Sequence, residues 1–161
     1  MRPEALKPTF NQQAATHDEQ SAKMAPILDA LHFLLEAALS GLPTAANALC
    51  VGVGTGAELV HLAQTFPHWR FTAVDPSGAM LDLCRGKAEA MGFVDRCQFH
   101  EGYVESLSVE AVYGAATGFL VSQFILDQAV QTAFFQSIAQ RLKPGAILAS
   151  ADLAACGFIC V

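Results

Sequence analysis

Between the apolar run Ala48-Leu49-Cys50-Val51 and a helix-spaced set of Leu59, Leu62, Ala63 and Phe66 stands a loop with three glycines in five positions, Gly52-Val53-Gly54-Thr55-Gly56. Glycine adopts positive φ at little cost and lets other groups approach a bare backbone. A glycine-rich link from a buried strand to a helix leaves the first N–H groups of that helix without intrahelical partners. Those donors favour an anionic or polar group in front of the loop. The same loop is also compatible with a strand-to-helix turn that holds no ligand.

The rest of the chain repeats the strand-then-helix unit. Residues 21–40 carry Met24, Ile27, Leu28, Leu31, Leu34, Leu35 and Ala38 at helical spacing, stopped by Gly41-Leu42-Pro43. A second strand, 71–74, closes on Asp75. Pro76 and Ser77 then open a helix through Met80, Leu81 and Cys84 that ends at Gly92. A third, more exposed strand is expected at 97–100, a fourth at 115–121 and a fifth at 146–151, with a helix through Ala129, Phe134, Ile138 and Leu142 before the last. This alternation predicts an α/β fold of right-handed βαβ units around a mainly parallel sheet.

The chain has 161 residues, no internal repeat and no low-complexity segment, so one domain is expected over 21–161, preceded by a polar arm or lid at 1–20. Hydrophobic residues make up 53% and charged residues 15%, against the ~25% usual in globular proteins. A formal charge of −6 argues against nucleic acid as a partner, since phosphate binding needs an excess of Lys and Arg. No membrane partner is expected, because no window reaches the ~18 uninterrupted apolar residues of a spanning helix; Asp29, His32 and Glu36 break the first long apolar helix and Asp152 breaks the last strand region. The start MRPEALKPTF lacks the apolar stretch of a secretory signal. Cys50, Cys84, Cys97, Cys156 and Cys160 are odd in number and form no CxxC pair, which reads as reduced thiols in a cytoplasmic protein with no metal site.

Asp75 stands at the end of the second strand, close to the ~20 residues beyond the loop at which an acidic residue grips a ribose. In a parallel sheet it shares a crevice with Gly54. It also begins a helix, a role compatible with sugar binding. Gly52-x-Gly54-x-x-Ala57 fits a dinucleotide fingerprint as well, so a dinucleotide such as NAD and another adenosine cofactor both remain open at this point.

From Leu49 to Asp75 the chain resembles the first two motifs of the class I S-adenosylmethionine-dependent methyltransferases. His100-Glu101-Gly102-Tyr103-Val104-Glu105 resembles the third-strand motif, and Arg141-Leu142-Lys143-Pro144-Gly145 the turn into strand five. Phe10-Asn11-Gln12-Gln13-Ala14 with Asp18 looks like the lid of that family. The resemblance implies a Rossmann-like three-layer sandwich and S-adenosyl-L-methionine as cofactor. It implies that Gly52, Gly54 and Gly56, with Val53 and Thr55 between them, line the methionine and ribose portion, and that Asp75 holds the ribose hydroxyls. Pro76 and Met80 then pack on the adenine; Gly102, Tyr103 and Val104 close its other face; and Ser122 lies near the methionine amino group. Gln123, Phe124 and His17 are the implied acceptor-side residues. Three departures stand out: Cys50 where the family has an acid, Tyr103 where Asp is frequent, and His17 where a lid Tyr is common.

Methyl transfer from a sulfonium is an in-line displacement in which the cofactor carries the difficult chemistry. Alignment and exclusion of water are the protein's share. His17, His61 and His100 are bases by residue type, but His61 and His100 lie on elements where a structural role is expected, and no catalytic residue is assigned. The resemblance further implies that the usual last two strands are lacking here. That leaves the fifth strand as an apolar edge beside the apolar segment 153–161, a hazard unless covered. A homodimer through that edge and tail is expected. The expected activity is methylation of a small-molecule acceptor; the alternatives are a non-catalytic S-adenosylmethionine-binding domain and an NAD-dependent oxidoreductase.

Overall fold

Five strands lie side by side in the order β3-β2-β1-β4-β5, every neighbouring pair parallel: β1 Asn47–Val51, β2 Arg70–Asp75, β3 Cys97–Glu101, β4 Tyr113–Phe119 and β5 Leu142–Ala151. A computed structural model of the chain describes residues 7–110 and 112–153. Its helices are α1 Lys7–Ala22, α2 Ala25–Leu39, α3 Ala57–Thr65, α4 Gly78–Ala90 and α5 Gln128–Ala139. The architecture is the expected α/β one, with the direction of connection reversing between β1 and β4. That reversal opens a crevice at the carboxyl ends of the strands, where such sheets hold ligands.

Both faces of the sheet are buried. Ala48 and Cys50 of β1 point into one core with Leu35, Leu39, Leu59, Leu62 and Leu81. Leu49 and Val51 point into the other with Phe134 and Ile138 of α5. This two-sided burial is why β1 reads as an unbroken apolar run rather than an alternation. Trp69 is fully buried; its indole N–H donates to Pro43 O, and its ring stacks on Phe66 at 4.1 Å. The Arg96 guanidinium closes the end of α3, donating to the carbonyls of Ala63, Phe66 and Trp69.

Two helix starts, those of α4 and α5, carry side-chain caps. Ser77 Oγ accepts from Met80 N before α4, and Asp127 accepts from Ala129 N and Val130 N before α5.

Several sequence expectations shift. The arm at 1–20 is a helix from Lys7 to Ala22, separate from α2, which begins at Ala25 with proline in its first turn. β4 ends at Phe119, because Leu120 takes φ +58 and turns the chain out of the sheet. Leu142, expected on the last helix, is the first residue of β5, where it pairs with Tyr113 across a register irregularity. Among the described residues no helix is long and apolar enough to cross a membrane, and no group of three or more His, Cys, Asp or Glu is arranged to hold a metal ion. Cys50, Cys84 and Cys97 are unpaired; Cys156 and Cys160, like the rest of the apolar tail from 154, lie outside the described residues.

Candidate functional site

The glycine loop leaves β1 and doubles back over the end of β2. Gly52 and Val53 both donate to Val74 O, and Gly54 donates its N–H to Asp75 Oδ2 at 2.9 Å. The other oxygen, Asp75 Oδ1, accepts from Ser77 N at 2.8 Å. The two features singled out in the sequence, the loop and the acid, are therefore in direct contact at one crevice. Burial pushes the Asp75 carboxyl up from its ordinary range, while the two backbone N–H donors and His17 hold it down.

The three loop glycines have different reasons to be glycine. A Cβ on Gly52 would stand 2.3 Å from Val121 Cγ2, and one on Gly56 2.5 Å from Cys84 Sγ, so both are required by packing as well as by positive φ. Gly54, at φ +55, meets only His17 Cε1, at 4.0 Å. Its face is the open one.

Helix α1 lies across this opening. Lys7, Phe10, Asn11, Ala14, His17 and Asp18 share one face of the helix, three or four residues apart. Asp18 accepts from Thr55 Oγ1 at 2.6 Å and pairs with Lys87 of α4 at 2.7 Å. The Ser77 hydroxyl donates to Asn11 Oδ1, Lys7 pairs with Glu101, and Phe10 sets its edge against Phe124 at 5.4 Å. Only Ala14 of this helix is buried. Apolar residues are few along it, Phe10 and Ala14 being the pair on this face, so the face is mostly polar. His17, expected on the acceptor side, stands over the glycine loop with Nδ1 3.5 Å from Thr55 Oγ1. Seven residues, about 10 Å along a helix, separate it from Phe10 at the other end of the opening.

On the far side of the crevice, residues 122–124 form a single turn after β4. The Ser122 hydroxyl donates to Asp152, Gln123 N–H donates to the same carboxylate, and the Gln123 side chain accepts from Leu153 N. Gln131 adds bonds to Ser122 O and Oγ. In the sequence Asp152 stands out only as a break in an apolar run; in the fold it ties the end of β5 to the turn after β4. Of the remaining expected site residues, Met80 and Val104 are buried in the walls. Gly102 N–H donates to Asp75 O, and Tyr103 O accepts from the Ser106 hydroxyl, which also contacts His100. Pro76 lies between Asp75 and the Ser77 cap. His61 stacks on His32 between α3 and α2 at 4.8 Å.

A separate groove of about 340 Å³ opens at the opposite end of the sheet, lined by residues including Asn47, Arg70, Thr72, Arg96 and Tyr113. Within it Tyr113 OH donates to Thr72 Oγ1, and Arg96 donates to three carbonyls.

Residues 48–145 match the family described as "Methyltransferase domain". Two curated relatives, both named release factor glutamine methyltransferase, come from Synechocystis sp. and Chlorobaculum tepidum. The first is 47% identical over 53 residues, 33% of this chain and 18% of that protein. The second is 33% identical over 115 residues, 70% of this chain and 39% of that protein, so the chain spans well under half the length of either. A SAM-dependent methyltransferase from Thiobacillus denitrificans, solved in complex with S-adenosyl-L-homocysteine, superposes with a TM-score of 0.61 at 27% identity, covering 75% of this chain and 47% of that one. With the family matched over more than half its length, and with the loop and acid joined at the crevice, this chain belongs to the methyltransferase domain family.

Proposed function

We propose that the crevice binds S-adenosyl-L-methionine and that the protein transfers its methyl group to a small-molecule acceptor. The observation that carries this reading is the Gly54 N–H to Asp75 bond, which brings an open glycine and a carboxylate together at the strand-order reversal. The residues present fit the cofactor. Each Asp75 oxygen accepts one backbone bond, and a carboxylate has about four acceptor positions, so two ribose hydroxyls can still be held. A chain can pass over Gly54, where a Cβ would find nothing nearer than 4.0 Å.

When bound, the cofactor supplies a methyl group on positively charged sulfur that is displaced in line. The chain's own residues do the rest. Asp75 fixes the sugar. Gly52, Val53, Gly54, Thr55 and Gly56 form the floor. Pro76, Met80, Gly102, Tyr103 and Val104 bound the adenine, and Ser122 stands at the amino-acid end. Phe10 and Phe124 form an apolar wall for the acceptor, with Gln123 behind them, and α1 with His17 excludes water from above. A crevice roofed by the chain's own helix supports a small acceptor. The names of the curated relatives favour a second reading, a glutamine side chain of a protein.

Calorimetry with S-adenosyl-L-homocysteine and with NAD tests the cofactor, with binding of the first alone expected. Methyl release across a panel of small molecules and a glutamine-bearing peptide separates the two acceptor readings, and no release with either leaves the non-catalytic reading in possession.

A homodimer is proposed on the β5 side. Among the described residues β5 is an edge of the sheet, and the neighbouring α2 exposes Ile27, Phe33 and Leu34, with Phe33 70% exposed. A second copy laid on this edge would cover both. Sedimentation is expected to show a dimer at micromolar concentration; a monomer throughout would remove the idea. Three unpaired cysteines are compatible with a reducing compartment such as the cytoplasm.

A further inference from the structure

Past the end of β4 the chain leaves the sheet through Leu120, a bulky residue held at φ +58, whose N–H donates to Ala151 O of β5. Positive φ in a bulky residue is an outlier that tight turns and functional sites impose. The turn delivers residues 121–126 to the carboxyl end of the sheet, on the β4 side of the crevice. The polar side chains there are hydrogen-bonded within the chain. Ser122 donates to Asp152, the Gln123 side chain accepts from Leu153 N, and Gln131 of α5 donates to Ser122. The apolar ones are left uncovered: Phe124 is 37% exposed, Leu126 77% and, in the first turn of α5, Val130 45%. Phe124 also meets Phe10 of α1 edge-on, so the apolar patch borders the opening that α1 crosses.

An exposed apolar patch rimmed by polar groups marks a surface that a partner or ligand covers. Its size says which. Among the described residues it consists of three side chains and the edge of Phe10. A stable protein interface takes roughly 20–30 residues and ~800 Å² from each partner. The patch falls far short of that, and it matches the apolar lining of a small-molecule pocket. We propose that the methyl acceptor is a lipophilic small molecule whose hydrocarbon body lies on Phe124, Leu126 and Val130. The inference rests on the cofactor reading above and narrows the class of its acceptor.

Straight-chain primary alcohols probe the patch without knowledge of the natural acceptor. Butanol, hexanol and octanol are titrated calorimetrically into the chain saturated with S-adenosyl-L-homocysteine. Burial of the hydrocarbon predicts an affinity gain of about 2- to 4-fold per added methylene in the wild type. In the double variant Leu126→Ser with Val130→Ser the gain should fall below about 1.5-fold per methylene. Phe33→Ser, on the exposed face of α2, should keep the wild-type gain. Should the double variant not fold, Leu126→Ser alone serves, its side chain being the most exposed of the three. No dependence on chain length in the wild type, or an undiminished one in the variant, overturns the inference. Tighter binding of N-acetylglutamine amide than of hexanol overturns it too. So does a dimer in sedimentation that the double variant dissociates, since a second copy would then cover the patch. A wild type that does not bind S-adenosyl-L-homocysteine fails the cofactor reading itself, whereas binding of that ligand with no chain-length dependence fails this inference alone.

Discussion

Gly54 donates its backbone N–H to the Asp75 carboxylate at 2.9 Å, joining the end of the first strand's loop to the end of the second strand. The same carboxylate holds Ser77 N, so one buried side chain fixes both the glycine floor and the start of α4. Asp75, the proposed grip on the sugar, thus also serves local folding. Asp75→Ala should weaken S-adenosyl-L-homocysteine about 10- to 150-fold, from the loss of hydrogen bonds to a charged group. It should also lower unfolding free energy by about 1–3 kcal/mol, because the buried Ser77 N–H and the part-buried Gly54 N–H lose their acceptor. Calorimetry together with urea denaturation checks both; unchanged affinity in the folded variant would remove Asp75 from the site.

The three loop glycines should separate by experiment. Gly52→Ala and Gly56→Ala place a methyl 2.3 Å from Val121 Cγ2 and 2.5 Å from Cys84 Sγ, so overpacking of about 1–3 kcal/mol adds to the cost of an alanine at positive φ. Gly54→Ala meets nothing closer than 4.0 Å and bears only the left-handed backbone cost of about 1–2 kcal/mol. It should therefore be the most stable of the three variants in urea, yet still lose ligand affinity because its methyl occupies the open face. Equal destabilisation at all three positions would contradict this division.

The order of elements from β1 to β5 is legible in the sequence because strands buried on both faces are plain apolar runs, and because Gly and Pro punctuate the ends. The run 48–51, the glycine loop and Asp75 all stand where that pattern puts them. What cannot be read is what depends on contact between distant elements. Asp152 meets Ser122, and Glu58 meets Thr117, across gaps of 30 and 59 residues, and neither spacing has a periodic signature. The helix at 7–22 is hidden for the opposite reason: beside Phe10 and Ala14 its inward face carries Lys7, Asn11, His17 and Asp18, polar residues that apolar periodicity does not register. The ends of β4 and β5 depart from expectation because Leu120 carries an unusual φ and Lys143-Pro144-Gly145 runs on within a strand.

Helix α1 is attached by polar bonds and one ring contact, with Ala14 its only buried residue. Ion pairs with this exposure contribute about 0–1 kcal/mol each and weaken with salt. Its amides should therefore exchange with solvent deuterium faster than those of β1 and β4, through local opening rather than global unfolding. Asp18→Ala, which releases both Thr55 and Lys87, should speed exchange in residues 7–22 and leave the strands unchanged. Saturation with S-adenosyl-L-homocysteine should slow it. Exchange of α1 at the rate of the core would show a fixed roof.

Glu58 gives the ligand-free protein a pH signature whose sign can be worked out. Desolvation pushes its carboxyl up from 4.5 to about 7, the Thr117 hydrogen bond working against the shift. Between those values the folded chain binds more protons than the unfolded one, so this group makes unfolding free energy fall as pH rises from about 4.5 to 7 and level off above. Glu58→Gln has no proton to lose, and all other titrating groups are shared with the wild type. Melting temperatures measured in parallel from pH 4.5 to 8 should show the Gln variant gaining on the wild type as pH rises, with most of the gain below neutrality. Parallel curves would mean that the Glu58 carboxyl is solvated in the folded chain.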